Sequence, residues 1–207
     1  MLEFDQKAKA DGFRFLFGVD EVGRGPLAGP VVSAAVCLRD TSFVNRVGDS
    51  KALTPLQRRK AFDEIFERGW VGIGMMSETV IDEVNILRAA HLSMTAAVYD
   101  LVARLPAGLR DERSFSASVK VLVDGNSYRG KIPFRVEPVV KGDAKSLAVA
   151  CASIIAKVYR DRWMEKFDLV YPGYGFGVHK GYPTEAHRAA LRKLGHSPIH
   201  RKSFNSL

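Results

Sequence analysis

The chain has 207 residues, and its 31 Lys and Arg against 23 Asp and Glu give a formal net charge of +8. Hydrophobic residues make up 46% and charged residues 26%, which excludes a collagen, a coiled coil and a fully disordered chain. No apolar run reaches the ~18 residues of a membrane span, and the charged start MLEFDQKAKADG lacks the apolar core of a secretory signal. We therefore expect a cytoplasmic protein that contacts no membrane.

The positive charge favours a nucleic-acid partner, although a protein that is merely basic and soluble would have the same net charge. The two cysteines, Cys37 and Cys151, lie inside apolar runs, and no CxxC pair is present. This pattern indicates two buried thiols in a reducing compartment rather than a zinc site.

Five segments have the density of apolar residues that is typical of strands: 13–20, 31–38, 70–77, 119–124 and 132–140. Four segments have helical patterns: 54–68, 79–105, 144–168 and 185–194. The second of these helices is expected to break near Asn85, and the last strand is expected at an edge because it contains two prolines. A polar surface loop is expected over 106–117.

This order of elements predicts a mixed α/β fold with a central sheet and one continuous core. We expect a single domain over residues 1–207. A sheet-and-helix core would cover about 1–165, and a C-terminal extension of helix and loop would cover about 166–207.

Four acidic residues stand where predicted strands end or a predicted helix begins. Asp20 and Glu21 close the first strand, Asp124 closes the fourth, and Asp143 precedes the long helix. Carboxylates at the ends of paired strands lie close together, and two anions 4 Å apart repel by about 1–4 kcal/mol. A hard cation would neutralise them, and oxygen ligands select Mg²⁺ or Mn²⁺. The four could hold two ions, as in phosphoryl-transfer nucleases, although each alone also fits a helix cap or a surface acid.

Two glycine-rich segments match nucleotide-binding loops only in part. GRGPLAG at 23–29 has a proline where a dinucleotide-binding helix would begin, so its glycines either let the backbone approach a ligand or simply form a turn. GNSYRGK at 125–131 matches a P-loop, but Ile132 follows in place of Ser or Thr, and the next residues are extended. A nucleoside triphosphatase is therefore disfavoured.

None of the five histidines has metal-ligand spacing with a cysteine. His91 lies in a predicted helix, where packing is the simplest interpretation. His179 and His200 stand among Lys and Arg, which favours a surface contact with phosphate.

Seven segments of the chain, in this order, resemble bacterial ribonuclease HII. They are GVDEVGRGPLAGPVV, DSKALT, IDEVNI, LVDGN, KGD with ASIIAKVYRD, YGFGVHKGYPT and HRKSF, and they span about residues 15–204. The resemblance implies the ribonuclease H fold, an α/β fold with a five-stranded mixed sheet flanked by helices and a C-terminal helical extension. It also implies that the catalytic, metal-binding carboxylates are Asp20, Glu21, Asp124 and Asp143.

The same resemblance assigns residues to the substrate. It implies that Gly23, Arg24 and Gly25 form a loop whose backbone contacts the ribose 2′-OH, the group that distinguishes RNA from DNA. It implies that Tyr182 stacks on the sugar next to the ribonucleotide and favours an RNA-to-DNA junction. Lys51 would contact a phosphate.

The activity implied is that of an endonuclease for RNA–DNA hybrids and for duplex DNA that contains ribonucleotides. It would cut 5′ of a ribonucleotide, leave 3′-hydroxyl and 5′-phosphate ends, and use two Mg²⁺ or Mn²⁺ ions when substrate is bound. The implied role is the removal of single ribonucleotides and RNA primers, and we expect a monomer. Two alternatives stay open: a non-catalytic module that binds hybrids or duplexes, and a structure-specific DNA nuclease on the same fold.

Overall fold

The computed structural model describes residues 2–204, and within them the chain forms one five-stranded mixed sheet. The order across the sheet is β3-β2-β1-β4-β5. Strand β1 pairs antiparallel with β2 and parallel with β4, so the α/β fold expected from the sequence is confirmed. The strands are β1 Phe15–Val22, β2 Val31–Leu38, β3 Gly69–Met76, β4 Val119–Asp124 and β5 Arg135–Val139.

Helices cover both faces of this sheet. The longer ones are α2 Pro55–Arg68, α4 Ile86–Arg104, α8 Leu147–Val170 and α10 Glu185–Leu194. The shorter ones are α1 Glu3–Ala10, α3 Glu78–Val84, α5 Ala107–Arg110, α6 Phe115–Ser118, α7 Gly142–Lys145 and α9 Phe176–His179. No helix within residues 2–204 is both long enough and apolar enough to cross a membrane.

One predicted break is confirmed, and two predicted segments differ in detail from the structure. The helix expected over 79–105 does break at Asn85, whose φ of 69° ends α3 and whose Oδ1 accepts from the Arg88 backbone N–H at 3.0 Å. The helix expected from 144 begins instead at Leu147, after the separate turn α7, because Ser146 caps it. The connector expected as a loop over 106–117 contains α5 and most of α6.

Close backbone contact fixes α8 against the centre of the sheet. A Cβ atom on Gly18 of β1 would lie 2.1 Å from the Ala148 carbonyl carbon, so only glycine lets strand and helix approach this closely. On the opposite face, Gly74 of β3 allows the same approach to α4, where a Cβ atom would lie 1.9 Å from the Ser93 carbonyl oxygen. The core therefore lies in two layers, one under each long helix.

The N-terminal helix supports the start of α8. The Asp5 carboxylate accepts from the backbone N–H groups of Leu147 and Ala148 at 3.1 and 3.2 Å. Because these N–H groups lie in the first turn of α8, Asp5 caps that helix from outside its own sequence neighbourhood. No pattern in the sequence predicted this helix or this contact.

The register of the parallel pair brings the first two acids together. Val19 of β1 lies opposite Val123 of β4, so the next residues, Asp20 and Asp124, lie near the ends of adjacent strands at the same edge of the sheet. The structure therefore places the two carboxylates as strand pairing had predicted.

Candidate active site

A cavity of about 470 Å³ opens at the edge of the sheet where β1 and β4 end. All four acidic residues singled out in the sequence line this cavity, together with two of the residues expected to contact substrate. The six are Asp20, Glu21, Asp124, Asp143, Lys51 and Tyr182. Asp49, which the sequence did not single out, adds a fifth carboxylate to the wall.

Backbone donors and one cation hold three of the carboxylates. Asp20 is buried, and its Oδ1 accepts from the Glu21 backbone N–H at 2.7 Å. Oδ1 of Asp124 accepts from the Gly142 N–H at 2.7 Å, which ties the end of β4 to the turn that carries Asp143. Arg24 donates to Oε1 of Glu21 at 3.2 Å. These contacts orient the carboxylates of Asp20, Glu21 and Asp124, all of which line the cavity.

The carboxylates repel one another there. Burial, followed by the charges of Glu21 and Asp124, raises the pKa of Asp20 well above its usual value. Burial also raises the pKa of Glu21, with Arg24 opposing the shift. The pKa of Asp143 is raised as well, first by burial and then by the charge of Asp124. Asp124 thus acts on all three of the other acids, and negative charge predominates in the cavity.

The donor set of this cavity fits hard divalent cations. Four carboxylates provide only oxygen ligands, the type that Mg²⁺ and Mn²⁺ prefer. Their mutual repulsion is the electrostatic condition that a bound cation relieves. Within residues 2–204, no three Asp, Glu, His or Cys side chains already stand in a geometry that would hold one ion.

The glycine-rich loop beside the acids is anchored by two buried arginines. Gly23 has a φ of 99°, and a Cβ atom there would lie 2.4 Å from Nε of Arg160. Arg201 donates to four backbone carbonyls of the loop, those of Gly23, Arg24, Pro26 and Gly29, at distances of 2.6–3.2 Å. Both arginines have 0% exposure, and the sequence singled out neither residue.

The expected substrate residues lie around the same opening. A Cβ atom on Gly25 would lie 3.7 Å from Cε1 of Tyr182, so the ring of Tyr182 lies beside the loop. Tyr182 keeps 37% exposure, and Lys51, which is also exposed, lines the same cavity. The structure thus brings the carboxylates, the glycine loop, Lys51 and Tyr182 into one neighbourhood.

The surface phosphate contact expected at His179 and His200 is wrong. His200 is 2% exposed, and its ring nitrogens face His187 and Ser197. His179 is half-buried, with Nε2 on the Tyr174 carbonyl at 2.7 Å and Nδ1 accepting from Gly181 N–H at 3.2 Å. Neither ring has a nitrogen left for a phosphate. His91 is buried, as the packing interpretation expected.

The P-loop match at 125–131 has no helix after it. Residues 131–134 are irregular, and the edge strand β5 follows. The segment therefore lacks the helix N-terminus that would hold a phosphate, as the sequence indicated.

Comparison with known sequences gives one consistent family. A family model described as Ribonuclease HII matches residues 17–207. The Ribonuclease HII of Ruminiclostridium cellulolyticum is 45% identical over 205 residues, which cover 99% of this chain and 75% of that protein. The Ribonuclease HII of Maricaulis maris is 48% identical over 187 residues, which cover 90% and 80%.

Solved structures share the fold. Ribonuclease H2 from Pyrococcus horikoshii superposes with a TM-score of 0.67 at 29% identity, covering 93% of this chain and 94% of that one. Bst-RNase HIII, solved in complex with Mn²⁺, gives a TM-score of 0.67 at 20% identity and covers 96% and 70%. At that identity the second similarity concerns the fold alone.

Proposed function

The chain belongs to the ribonuclease HII family, and on that premise we propose that Asp20, Glu21, Asp124 and Asp143 are its catalytic, metal-binding residues. The family makes the chain an endoribonuclease that hydrolyses RNA in RNA–DNA hybrids. The observation that carries the site proposal is the convergence of all four acids on one cavity at the end of β1 and β4.

The cut we propose is 5′ of a ribonucleotide and leaves 3′-hydroxyl and 5′-phosphate ends. Two Mg²⁺ or Mn²⁺ ions, bound with the substrate, would activate the attacking water and neutralise charge on the leaving oxygen. The four carboxylates would hold the ions, and the Gly142 N–H fixes the orientation of the Asp124 carboxylate. Without a cation, the same carboxylates repel a phosphate backbone, so productive binding depends on the metal.

The glycine loop and Tyr182 supply the preference for a ribonucleotide. Arg160 and Arg201 hold the backbone of the loop in place beside Tyr182, which lines the cavity. We assign Gly23, Arg24 and Gly25 to the ribose 2′-OH, and Tyr182 to the neighbouring sugar. Lys51, which lines the same cavity, is assigned to a phosphate of the cut strand.

A basic groove beside the site suits the uncut strand. The 2′-OH faces the minor groove of the duplex, and both backbones flank that groove, so the uncut strand must lie across from the carboxylates. A smaller cavity lined by Glu21, Asp124 and His91 leads from the site to a groove that also contains His91. Exposed Arg88, Arg129 and Lys131 line that groove. Their charge complements a phosphate backbone.

The cellular role that follows is the removal of ribonucleotides from duplex DNA and of RNA primers. We propose that the enzyme acts as a monomer in the cytoplasm, where its two free, buried cysteines stay reduced. Its partners are then RNA–DNA hybrids and duplex DNA that contains ribonucleotides.

One cleavage assay tests this function. An end-labelled DNA duplex with a single ribonucleotide is incubated with the protein in Mg²⁺, in Mn²⁺ or in EDTA, beside an all-DNA duplex. We expect one metal-dependent cut 5′ of the ribonucleotide and none in all-DNA. Binding without cleavage in either metal would indicate a binding module, and cleavage of the all-DNA duplex would indicate a structure-specific DNA nuclease.

A further inference from the structure

The backbone of Tyr182 is held by a chain of hydrogen bonds that starts in the C-terminal segment. The Ser197 backbone N–H donates to Nδ1 of His200 at 2.9 Å. Nε2 of His200 lies 3.0 Å from Nε2 of His187. Nδ1 of His187 lies 2.9 Å from the carbonyl oxygen of Tyr182. Both imidazoles are buried, and neither belongs to the carboxylate site.

The two ends of this chain determine where its protons lie. A backbone carbonyl only accepts, so His187 must carry its proton on Nδ1 and leave Nε2 unprotonated. His200 must then donate from Nε2, which leaves its Nδ1 unprotonated. A backbone N–H only donates, so Ser197 independently requires an unprotonated Nδ1 on His200. The two ends agree, and one arrangement of neutral tautomers satisfies every contact.

This arrangement does not tolerate an added proton. If His187 were also protonated on Nε2, that N–H would face the Nε2–H of His200. If His200 instead turned Nδ1 into a donor, it could donate to Ser197 Oγ, 2.8 Å away, but the Ser197 backbone N–H would lose its acceptor. Each added proton therefore leaves at least one buried N–H without an acceptor, at a cost of about 1–3 kcal/mol, and the neutral arrangement is the favoured form.

A third imidazole holds the residue before Tyr182. His179 stacks on His187 with ring centroids 4.3 Å apart, and its Nδ1 accepts from the Gly181 N–H at 3.2 Å. The carbonyl of Gly181 in turn accepts from the Leu27 N–H of the glycine loop at 2.8 Å. The backbone around Tyr182 is therefore fixed from the histidines on one side and from the glycine loop on the other.

We propose that His187 and His200 are positioning residues for Tyr182, which fix its backbone so that its ring meets the sugar beside the cut ribonucleotide. This inference rests on the role proposed above for Tyr182. It predicts that breaking the chain changes substrate preference more than it changes the chemistry, because the carboxylates are untouched.

The first test determines which ring nitrogen of each histidine is protonated in the wild-type protein. Histidine ¹⁵N NMR at neutral pH is expected to show His187 protonated on Nδ1 and His200 protonated on Nε2. A coupling across the shared N–H···N bond would identify the pair. The opposite tautomer on either ring would overturn the proposal, and this test does not depend on any activity.

The second test measures kcat/KM for a duplex with one ribonucleotide relative to kcat/KM for a uniform RNA–DNA hybrid. His187→Phe keeps a ring against His179 but removes both hydrogen bonds, and we expect this ratio to fall by about 10- to 100-fold. His187→Gln, which can still donate to Tyr182 and accept from His200, should recover part of it. In a Tyr182→Ala background, His187→Phe should have no further effect, because its action runs through that ring.

A matched variant separates positioning from stability. Leu191→Ala lies on the same helix, one turn further on, and removes buried apolar volume without touching the chain of hydrogen bonds. If Leu191→Ala lowers the ratio as much as His187→Phe at equal loss of Tm, the proposal is overturned. An unchanged ratio in Tyr182→Ala would refute the proposed role of Tyr182 and with it the inference. A normal loss in Tyr182→Ala with none in His187→Phe would overturn the inference alone.

Discussion

Nη2 of Arg201 donates to the carbonyl oxygen of Gly23 at 2.6 Å, across 178 residues of sequence. Within the described residues no carboxylate pairs with this buried cation, and its hydrogen bonds go to backbone carbonyls of the glycine loop. Burial lowers its pKa to about 9. The carbonyl dipoles of the loop thus offset the free-energy cost of burying this charge. They can do so only while the loop keeps its conformation.

Arg201→Lys should therefore damage the loop even though it keeps the charge. An ammonium group cannot reproduce the planar fork of donors that meets four carbonyls at once. We expect the free energy of unfolding to fall by about 2–4 kcal/mol and the preference for a ribonucleotide to weaken. Urea unfolding, and cleavage of an all-DNA duplex relative to a duplex with one ribonucleotide, check this. Arg104→Lys, at an exposed site on α4, is the control and should change neither.

Asp124→Asn should abolish cleavage yet stabilise the metal-free protein. Asn keeps the Oδ1 that accepts from the Gly142 N–H, but it removes the charge that acts on Asp20, Glu21 and Asp143. We expect the free energy of unfolding in EDTA to rise by about 1 kcal/mol. Exposed Asp63→Asn provides the control. A loss of stability in Asp124→Asn, or wild-type turnover, would contradict the assignment of this cluster.

The groove beside α4 should contribute to the salt dependence of hybrid binding. Removing one cation that neutralises a phosphate lowers the slope of log K against log salt concentration by about 1. Arg129→Gln and Lys131→Gln should each show this decrease, measured by fluorescence anisotropy on the non-cleaving Asp124→Asn background. Arg104→Gln should leave the slope unchanged. A neutral methylphosphonate in the uncut strand tests the placement of that strand. If it weakens DNA binding of the Arg129→Gln variant as much as it weakens DNA binding of the parent protein, the groove does not hold the uncut strand.

Stability should fall as the pH drops from about 6.5 towards 4. Burial first, and then the charges of His187, His196 and His179, lower the pKa of His200 to about 4, whereas the unfolded chain titrates near 6.5. In this window His200 is protonated in the unfolded state and neutral in the folded state. The contribution of His200 to the free energy of unfolding is therefore complete above pH 6.5 and declines by up to about 1.4 kcal/mol per pH unit below it.

The raised pKa values of Asp20 and Asp143 act in the opposite direction, so the wild-type curve alone does not isolate His200. The difference in unfolding free energy between wild type and His200→Gln removes the carboxylate contribution. That difference should shrink as the pH falls. A difference that stays constant from pH 7 to pH 4.5 would show that His200 is not held neutral by the fold.

The sheet could be predicted from the sequence because each strand is a short, dense apolar run bounded by glycine, proline or polar residues. The four acids were found for the same reason, since three of them close a predicted strand. The first and last turns of the helices were less visible. Helix α8 starts at Leu147 because of Ser146 and also because of Asp5, and a cap supplied from 142 residues away leaves no local pattern.

The residues that hold the glycine loop and the backbone of Tyr182 were missed for a related reason. Arg160, Arg201 and His187 are fully buried, although arginine is usually found at the surface and full burial is uncommon for histidine. The two arginines bind backbone carbonyls, most of them more than 100 residues away along the chain, and His187 binds the carbonyl of Tyr182. Carbonyl oxygens are the same at every residue type, so none of these partners leaves a sequence pattern. The lysine and arginine next to His200 in the sequence therefore suggested a phosphate contact, whereas in the structure His200 contacts the imidazole of His187.

The anchoring of the glycine loop by Arg201 also sets an order of events during synthesis. The loop leaves the ribosome early, and at about 5–20 residues per second the arginine that fixes it follows roughly 9–36 s later. The carboxylates of β1 and β4 can already lie side by side while the loop still lacks its anchor. A growing chain can therefore bring these carboxylates together before Arg201 holds the glycine loop, to which we assign the choice of a ribonucleotide.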